Sequence, residues 1–299
     1  MLLTRHQTNN GPRWALDGVF LPPSLTLSTL LELPSAAMFQ ALTTLTSGEA
    51  AYGEMTAPLD PQHEVWAAGV TYLRSRDARR DESIVAAMYD HVYDAARPEL
   101  FFKSLGWRVA GNGAPIRVRA DSRWNVPEPE LVLVINQQRE IVGYCAGNDV
   151  SSRDIEGENP LYLPQAKVYN GSCALGHGLW LCAPEEIREI PIGLEIQRAE
   201  KTLFSGETST ATMKRALPEL VEYLTRELDF PQGVFLMTGT CLVPGNDFTL
   251  QAGDRVSIRV GRLQIENRVP DRKSPPLNSS HGTLPRMPAS ACKKQNHTY

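Results

Sequence analysis

The sequence predicts a mixed α/β fold that is predominantly β, and three observations support this expectation. Glycine and proline each occur 22 times in 299 residues, which indicates a chain with many turns. Short apolar runs of strand length recur between residues 65 and 269, with turn residues between them. One helix is indicated by apolar residues that share a single helical face, namely Leu217, Leu220, Val221, Leu224 and Leu228.

Three regions are expected along the chain. Residues 1–60 mix polar segments with short apolar runs, which predicts a small N-terminal domain that ends near Pro58 and Pro61. Residues 61–270 are expected to form the main domain. Residues 271–299 contain four prolines and five Lys or Arg residues against one acid. Such a segment buries too little apolar surface to offset its ordering entropy, so we expect a disordered basic tail.

Six segments of the main domain are predicted to be strands, because each is a short run rich in apolar and β-branched residues. They are residues 100–102, 131–135, 141–146, 179–182, 192–197 and 255–260. Residues 131–135 form a continuous apolar run, which is typical of a strand that is buried on both faces.

The charge and composition exclude several classes of protein. A formal net charge of −4 at pH 7 provides no overall basic field for nucleic acid or an anionic membrane. No stretch approaches the roughly 18 apolar residues of a membrane span, and the N-terminus lacks the apolar core of a secretory signal. The five cysteines show no CxxC pair, which is typical of free thiols in a reducing compartment. We therefore expect a cytoplasmic enzyme.

Two glutamates stand at the entrance of the predicted buried strand. Side chains alternate between the faces of a strand, so Glu128 and Glu130 project from the same face. Two carboxylates in such a place repel each other and resist ionisation unless a cation or a proton joins them. A third acid, Asp149, follows the next predicted strand, one hairpin away. Three carboxylates without a His or Cys ligand favour magnesium or manganese over zinc.

Other polar residues are candidates whose spacing alone leaves two interpretations open. Lys167 lies in a segment with little other charge, where it can take part in chemistry or be an ordinary surface lysine. Glu99 and Lys103 share one face of a predicted strand, which is also the pattern of a salt-bridged strand edge. Residues 238–240 form a small-residue turn that can receive a carboxylate or can be a plain turn.

The combined motifs resemble the fumarylacetoacetate hydrolase superfamily over residues 65–269. The motifs are the Glu-x-Glu strand, the segment 148–154, the later lysine, the Thr-Gly-Thr turn and the Gly253-Asp254 pair. The resemblance implies a β-sandwich roll that forms homodimers or larger assemblies and holds a divalent metal ion. It also implies that Glu128, Glu130 and Asp149 bind this metal, and that a 2-keto acid substrate chelates it.

One departure bears on the reaction. Hydrolases of the superfamily carry a histidine three residues after the tyrosine of a Gly-x-x-Tyr segment, and here Ser75 stands at that position, among four arginines. Serine cannot act as a general base at neutral pH, so hydrolysis by the usual dyad is not expected. The sequence is instead similar to the branch that dehydrates 2-keto-3-deoxy sugar acids.

That similarity implies a role for each remaining candidate. Glu99 and Lys167 are expected to transfer protons, with the choice of base left open. Lys103, Arg153 and Thr240 are expected to hold the distal part of the substrate. Three alternatives remain at this point: hydrolysis of an acylpyruvate, decarboxylation of oxaloacetate, and binding of a small molecule without catalysis.

Overall fold

The structure, a computed structural model, describes residues 1–45, 48–73 and 92–271. Over these residues the strands, in chain order, are β1 (Leu2–Thr8), β2 (Gly11–Leu16), β3 (Val19–Phe20), β4 (Glu54–Thr56), β5 (Glu64–Gly69), β6 (Glu99–Leu105), β7 (Asn125–Val126), β8 (Pro129–Ile135), β9 (Ile141–Asp149), β10 (Ser151–Ser152), β11 (Cys173–Leu175), β12 (Gly178–Leu181), β13 (Pro191–Arg198), β14 (Lys201–Ser209), β15 (Val234–Met237), β16 (Arg255–Val260) and β17 (Leu263–Arg268). The α-helices are α1 (Leu27–Leu31), α2 (Ser35–Thr44), α3 (Arg153–Glu158), α4 (Leu163–Lys167) and α5 (Leu217–Leu224).

The larger sheet is organised around the β8–β9 hairpin. Its strand order is β3-β2-β1-β12-β9-β8-β15-β5-β6, with β11 added beside β9 and β4 beside β1. Every residue of β8 and of β9 is buried, which agrees with the continuous apolar run that predicted β8. Strands β12 and β15 flank the hairpin on its two edges, so the end that carries Glu128 and Asp149 lies inside the molecule.

A second sheet of four strands, in the order β14-β13-β16-β17, packs against the first. Its strands alternate in the way that a half-buried sheet requires: Ile192, Leu194 and Ile196 of β13 point into the core, as do Val256 and Ile258 of β16. The two sheets enclose one apolar core. The expectation of a predominantly β sandwich is thus confirmed, and all six predicted strands are present as β6, β8, β9, β12, β13 and β16.

The predicted helix is present but shorter than its apolar pattern. Helix α5 ends at Leu224, and Leu228 lies outside it with 41% of its surface exposed. Thr225 is the C-cap: its backbone leaves the helical conformation, and its N–H and hydroxyl both donate to the carbonyl of Val221. The inclusion of Leu228 in the helical face was therefore wrong.

The first 60 residues form β1 to β4, α1 and α2, and β1 pairs antiparallel with β12 of the larger sheet. The domain boundary near residue 60 stays a prediction. The predicted basic tail lies outside the described residues from residue 272 onward, as does Ser75 with the arginines around it. Among the described residues, no helix is long and apolar enough to cross a membrane.

A buried histidine connects the N-terminal region to the larger sheet. The Nδ1 atom of His63 accepts a hydrogen bond from the backbone N–H of Asp60 at 2.9 Å. Its Nε2 atom lies 2.9 Å from the carbonyl oxygen of Gln232, so the neutral ring carries its proton there. Burial lowers the pKa of His63 below its ordinary value of 6.5.

This histidine predicts a loss of stability in mild acid. With a lowered folded-state pKa, the unfolded chain binds more protons at this residue below about pH 6.5, so stability falls as the pH falls through that region. The contribution is at most about 1.4 kcal/mol per pH unit. Urea unfolding between pH 5 and pH 7.5 should give a shallower pH dependence for His63→Gln than for the wild type. The matched control, His177→Gln at a partly exposed site, should keep the wild-type slope.

Candidate metal centre

Three buried carboxylates meet at the open end of the β8–β9 hairpin. One oxygen of each of Glu128, Glu130 and Asp149 lies within 4.8 Å of the others, and each residue is at most 2% exposed. The hairpin register explains the convergence: Pro129 pairs with Asn148, and the backbone N–H of Asp149 donates to the carbonyl of Glu128 at 3.0 Å. The sequence prediction placed these same residues one hairpin apart.

Lys167 and Arg153 neutralise part of this charge from the wall of the site. Lys167 Nζ lies 2.7 Å from Glu128 Oε2 and 2.9 Å from Asp149 Oδ2, and it also donates to the Ser151 hydroxyl at 2.6 Å. The guanidinium of Arg153 donates to Glu128 Oε1 from Nε at 3.1 Å, and its Nη2 lies 2.9 Å from the same oxygen. Both carboxylate oxygens of Glu128 are therefore paired with cations.

Lys103 lies beside the metal centre in a fully buried position. Its Nζ forms an ion pair with Asp149 Oδ1. The same Nζ donates to the carbonyl oxygens of Val150 at 3.1 Å and Lys167 at 2.6 Å. These contacts support Asp149 and the backbone around it, and the expected role of Lys103 in substrate binding stays a prediction.

Glu130 has less compensation than the other two acids. Its Oε2 accepts a hydrogen bond from the backbone N–H of Gly239 at 2.6 Å, so the predicted Thr-Gly-Thr turn receives a carboxylate of the protein itself. Burial, followed by the nearby charges of Asp149 and Glu128, raises the pKa of Glu130 well above its ordinary value. A cation beside Glu130 would remove this destabilisation.

The local charges fit a divalent ion. The same cavity is lined by Glu99, Thr240 and Glu156 in addition to the three converging acids, Arg153 and Lys167. Among the described residues of this site, formally five carboxylates stand against three cations, counting Lys103. Carboxylate oxygens are the donors that Mg²⁺ and Mn²⁺ prefer, and a bound cation would favour the ionised form of Glu130.

The two residues expected to move protons come from separate elements. Glu99 begins β6, and Lys167 ends α4, where its Nζ lies 5.5 Å from the ring centroid of Phe101. Both line the cavity, as do Arg153 and Thr240. Their chemical roles stay predictions, but the fold brings all of these candidates to one place.

Sequence reasoning missed two groups at this site. Ser151 accepts a hydrogen bond from Lys167, and the buried Glu156 lines the cavity. Both lie in or directly after the Asp149 motif, and this proximity was the one signal that could have marked them. The sequence did indicate that the turn at residues 238–240 could receive a carboxylate, but it did not identify Glu130 as that carboxylate.

The chain resembles known proteins over most of its length. A family model described as fumarylacetoacetate (FAA) hydrolase C-terminal matches residues 65–270. A protein of Haloferax volcanii named probable 2-keto-3-deoxyxylonate dehydratase is 49% identical over 208 residues, which cover 69% of this chain and 71% of that protein. The 2-dehydro-3-deoxy-D-arabinonate dehydratase of Saccharolobus solfataricus is 41% identical over 216 residues, which cover 70% of this chain and 72% of that protein.

A solved structure with a bound ligand is similar as well. It is described as 2-keto-3-deoxy-D-arabinonate dehydratase complexed with magnesium and 2,5-dioxopentanoate. Its TM-score to this chain is 0.77 at 32% sequence identity, and the match covers 92% of this chain and all of that chain.

Removal of the Glu130 charge should separate metal binding from stability. Without metal, Glu130→Gln should be at least as stable as the wild type, because it removes a buried carboxylate that is poorly compensated. Mg²⁺ should raise the unfolding temperature of the wild type and not that of the variant. At 100 times the dissociation constant, the wild-type gain is about 2.7 kcal/mol.

The measurement is thermal unfolding at pH 8 with a titration of MgCl₂. The exposed variant Glu207→Gln is the control and should keep the metal-induced increase. An equal metal-induced increase in Glu130→Gln would contradict the assignment of this ligand.

The buried position of Lys103 predicts a structural penalty for its removal. Lys103→Met removes one of the two cations paired with Asp149 and the Nζ donor to the carbonyl of Val150, which should lower the free energy of unfolding by about 3–5 kcal/mol. Urea unfolding measures this effect. Unchanged stability together with a raised KM would instead support the original assignment of Lys103 to the substrate.

Proposed function

The chain belongs to the fumarylacetoacetate hydrolase family, and from this premise we propose that it dehydrates a 2-keto-3-deoxy sugar acid with the help of a divalent metal ion. Substrates of this class include 2-keto-3-deoxyarabinonate, and the product is a dioxo acid semialdehyde. The observation that carries the proposal is that Glu99 and Lys167 share one cavity with the three converging carboxylates. The names of the two relatives and the ligands of the similar structure support the same reaction.

Glu128, Glu130 and Asp149 are the residues that would hold Mg²⁺ or Mn²⁺. When bound there, the ion acts as a Lewis acid toward the keto and carboxylate oxygens of a 2-keto acid. The paired cations Lys167 and Arg153 hold Glu128 in place, so its carboxylate does not need to reorganise when a ligand arrives.

Of the two proton-transfer residues, Glu99 is the better base. The Nζ of Lys167 contacts two carboxylates and a hydroxyl, and these contacts stabilise the charged ammonium. An ammonium cannot accept a proton, but it can donate one. We therefore assign removal of the C3 proton to Glu99 and protonation of the departing hydroxyl to Lys167.

The proposed reaction balances with these two residues. Glu99 takes a proton from C3, and the electron pair of that bond moves toward the C2 keto group. The C3–C4 double bond then forms as the C4–O bond breaks, and the hydroxyl leaves with a proton as water. In a five-carbon substrate, a proton then moves from C5 to C3, which leaves an enol between C4 and C5. This enol gains a proton at C4 and loses the proton of its C5 hydroxyl, so that C5 becomes an aldehyde.

Arg153 and Thr240 line the same cavity, and we assign them to the polar groups of the substrate. Arg153 is 2% exposed and Thr240 is 7% exposed, so a substrate that reaches them is removed from water. Polar contacts in such a place discriminate strongly between substrates that do and do not carry a matching hydroxyl. The family resemblance also supports a homo-oligomer in the cytoplasm.

The proposed roles predict different effects for two variants. The assay follows semialdehyde formation from 2-keto-3-deoxypentonates with magnesium and after chelation by EDTA. A second assay follows exchange of the C3 protons of 2-oxobutanoate in D₂O by NMR, because this 2-keto acid has no hydroxyl to lose. Glu99→Gln should lower both rates by roughly 10²- to 10⁴-fold, the usual contribution of a general base. Lys167→Met should lower dehydration by more than exchange.

Metal titration by thermal unfolding is the control, since both variants must still bind magnesium for the comparison to hold. Wild-type exchange in Glu99→Gln would contradict its assignment as the base. Release of pyruvate from an acylpyruvate or from oxaloacetate, with no semialdehyde formed, would replace dehydration by cleavage as the function.

A further inference from the structure

Gly69 lies directly opposite Glu99 in the antiparallel pair of β5 and β6. Directly opposite residues project from the same face of a sheet, so a side chain at position 69 would share its space with Glu99. A Cβ atom built on Gly69 would lie only 2.6 Å from Cδ and 3.3 Å from Cγ of Glu99, and it would overlap Oε2. The carboxylate of Glu99 thus occupies the volume that any other residue at position 69 would fill.

The next residue has an unusual backbone conformation. Val70 has a φ of +53°, a region that β-branched residues rarely adopt. Such a conformation persists only where the surroundings fix it, and it is concentrated at functional sites. Val70 lines the metal cavity between Gly69 and Thr71, so the strain occurs at the site itself.

The contacts of Thr71 fix this turn. Its hydroxyl donates to the carbonyl of Thr238 at 2.7 Å, and its carbonyl accepts from the backbone N–H of Lys214 at 2.9 Å. Thr71 Oγ1 also occupies the place where a Cβ of Gly239 would lie. Because the N–H of Gly239 donates to Glu130, the turn that shapes the surroundings of Glu99 also bears on a metal ligand.

We propose that Gly69 is a positioning residue for the reaction: its missing side chain and the strained turn after it set where the Glu99 carboxylate stands relative to the metal ligands. This inference rests on the proposed function, in which Glu99 removes the C3 proton. A base must be aligned with the bond that it breaks, and a displacement of about 1 Å can reduce the rate by about 10²-fold.

The geometry separates this role from a merely structural one. The atoms that an added Cβ meets belong to the Glu99 side chain and not to backbone. Gly69→Ala should therefore fold with an unfolding temperature within about 2 °C of the wild type. The same change should move the carboxylate and lower the rate of proton removal by about 10²-fold.

The experiment is a double-mutant cycle with Gly69→Ala and Glu99→Gln. The readouts are the C3 exchange rate of 2-oxobutanoate, kcat and KM for dehydration, and the magnesium midpoint from thermal unfolding. Gly69→Ala alone should lower exchange and kcat and leave KM and the magnesium midpoint unchanged. In the Glu99→Gln background, Gly69→Ala should have no further effect, because the group that it displaces is already inactive.

The matched control is Gly193→Ala on β13, where an added Cβ meets nothing closer than 3.8 Å. It should keep wild-type values in every readout. A crystal structure of metal-free Gly69→Ala gives a readout that does not depend on activity. It should show Cδ of Glu99 displaced and the carboxylate of Glu130 in place.

Three results would each overturn the proposal. The first is full exchange activity in Gly69→Ala, and the second is an equal fractional loss from Gly69→Ala with and without Glu99. The third is a crystal structure in which β5 is displaced and Glu99 has not moved. Failure of the proposed function has a different signature. In that case Glu99→Gln alone would keep the wild-type exchange rate, whatever the crystal structure of Gly69→Ala shows.

Discussion

The structure depends on one constraint, which is that three carboxylates are held together away from water. Burial and mutual repulsion both oppose their ionisation, so the surrounding residues must supply positive charge or hydrogen-bond donors. The β8–β9 hairpin creates the problem, because its register places Asp149 beside Glu128 at the end of two fully buried strands. The elements packed at this end supply the positive charges and the donor. The cations are Lys103 of β6, Arg153 of α3 and Lys167 of α4, and the turn after β15 contributes a backbone N–H.

The three carboxylates differ in how much positive charge lies beside them, and this difference favours the binding of a cation. Glu128 is paired with Arg153 and Lys167, and Asp149 is paired with Lys103 and Lys167, whereas Glu130 accepts from a backbone amide. A site in which every carboxylate had its own ammonium would be stable and would attract no further cation. Here burial and the neighbouring carboxylates raise the pKa of Glu130, and a cation bound beside it would favour its ionised form. Lys167 contacts Glu128 and Asp149, and in the proposed reaction the same ammonium donates a proton to the departing hydroxyl.

The sequence predicted the parts of this site that follow from local rules. Strand alternation put Glu128 and Glu130 on one face, and a short hairpin put Asp149 beside them. The same rules placed the six strands and the start of α5, but the apolar pattern did not show that the backbone leaves the helical conformation at Thr225, before Leu228. The contacts of Lys103 were not predicted, because its partners, Asp149 and two carbonyls, come from distant segments whose packing no local pattern describes. For the same reason, nothing in the sequence marked the space that Gly69 leaves for Glu99, since that space exists only once β5 and β6 are in register.

Gly69, Val70 and Gly239 all shape the surroundings of the carboxylates in this site. Gly69 makes room for one carboxylate, and Gly239, at a φ of +93°, aims its amide at another. Thr71 packs between the two turns, so neither can relax without disturbing its neighbour. Rigidity of this kind favours catalysis, because dipoles and charges that are already oriented need no reorganisation during the reaction. The neighbouring cations and the Gly239 amide hold the three carboxylates in place. In the proposed reaction, the strained turn at Val70 sets the distance from these carboxylates to Glu99. Proton removal next to a keto group requires both, since the negative charge develops at one end of the substrate while the proton leaves at the other.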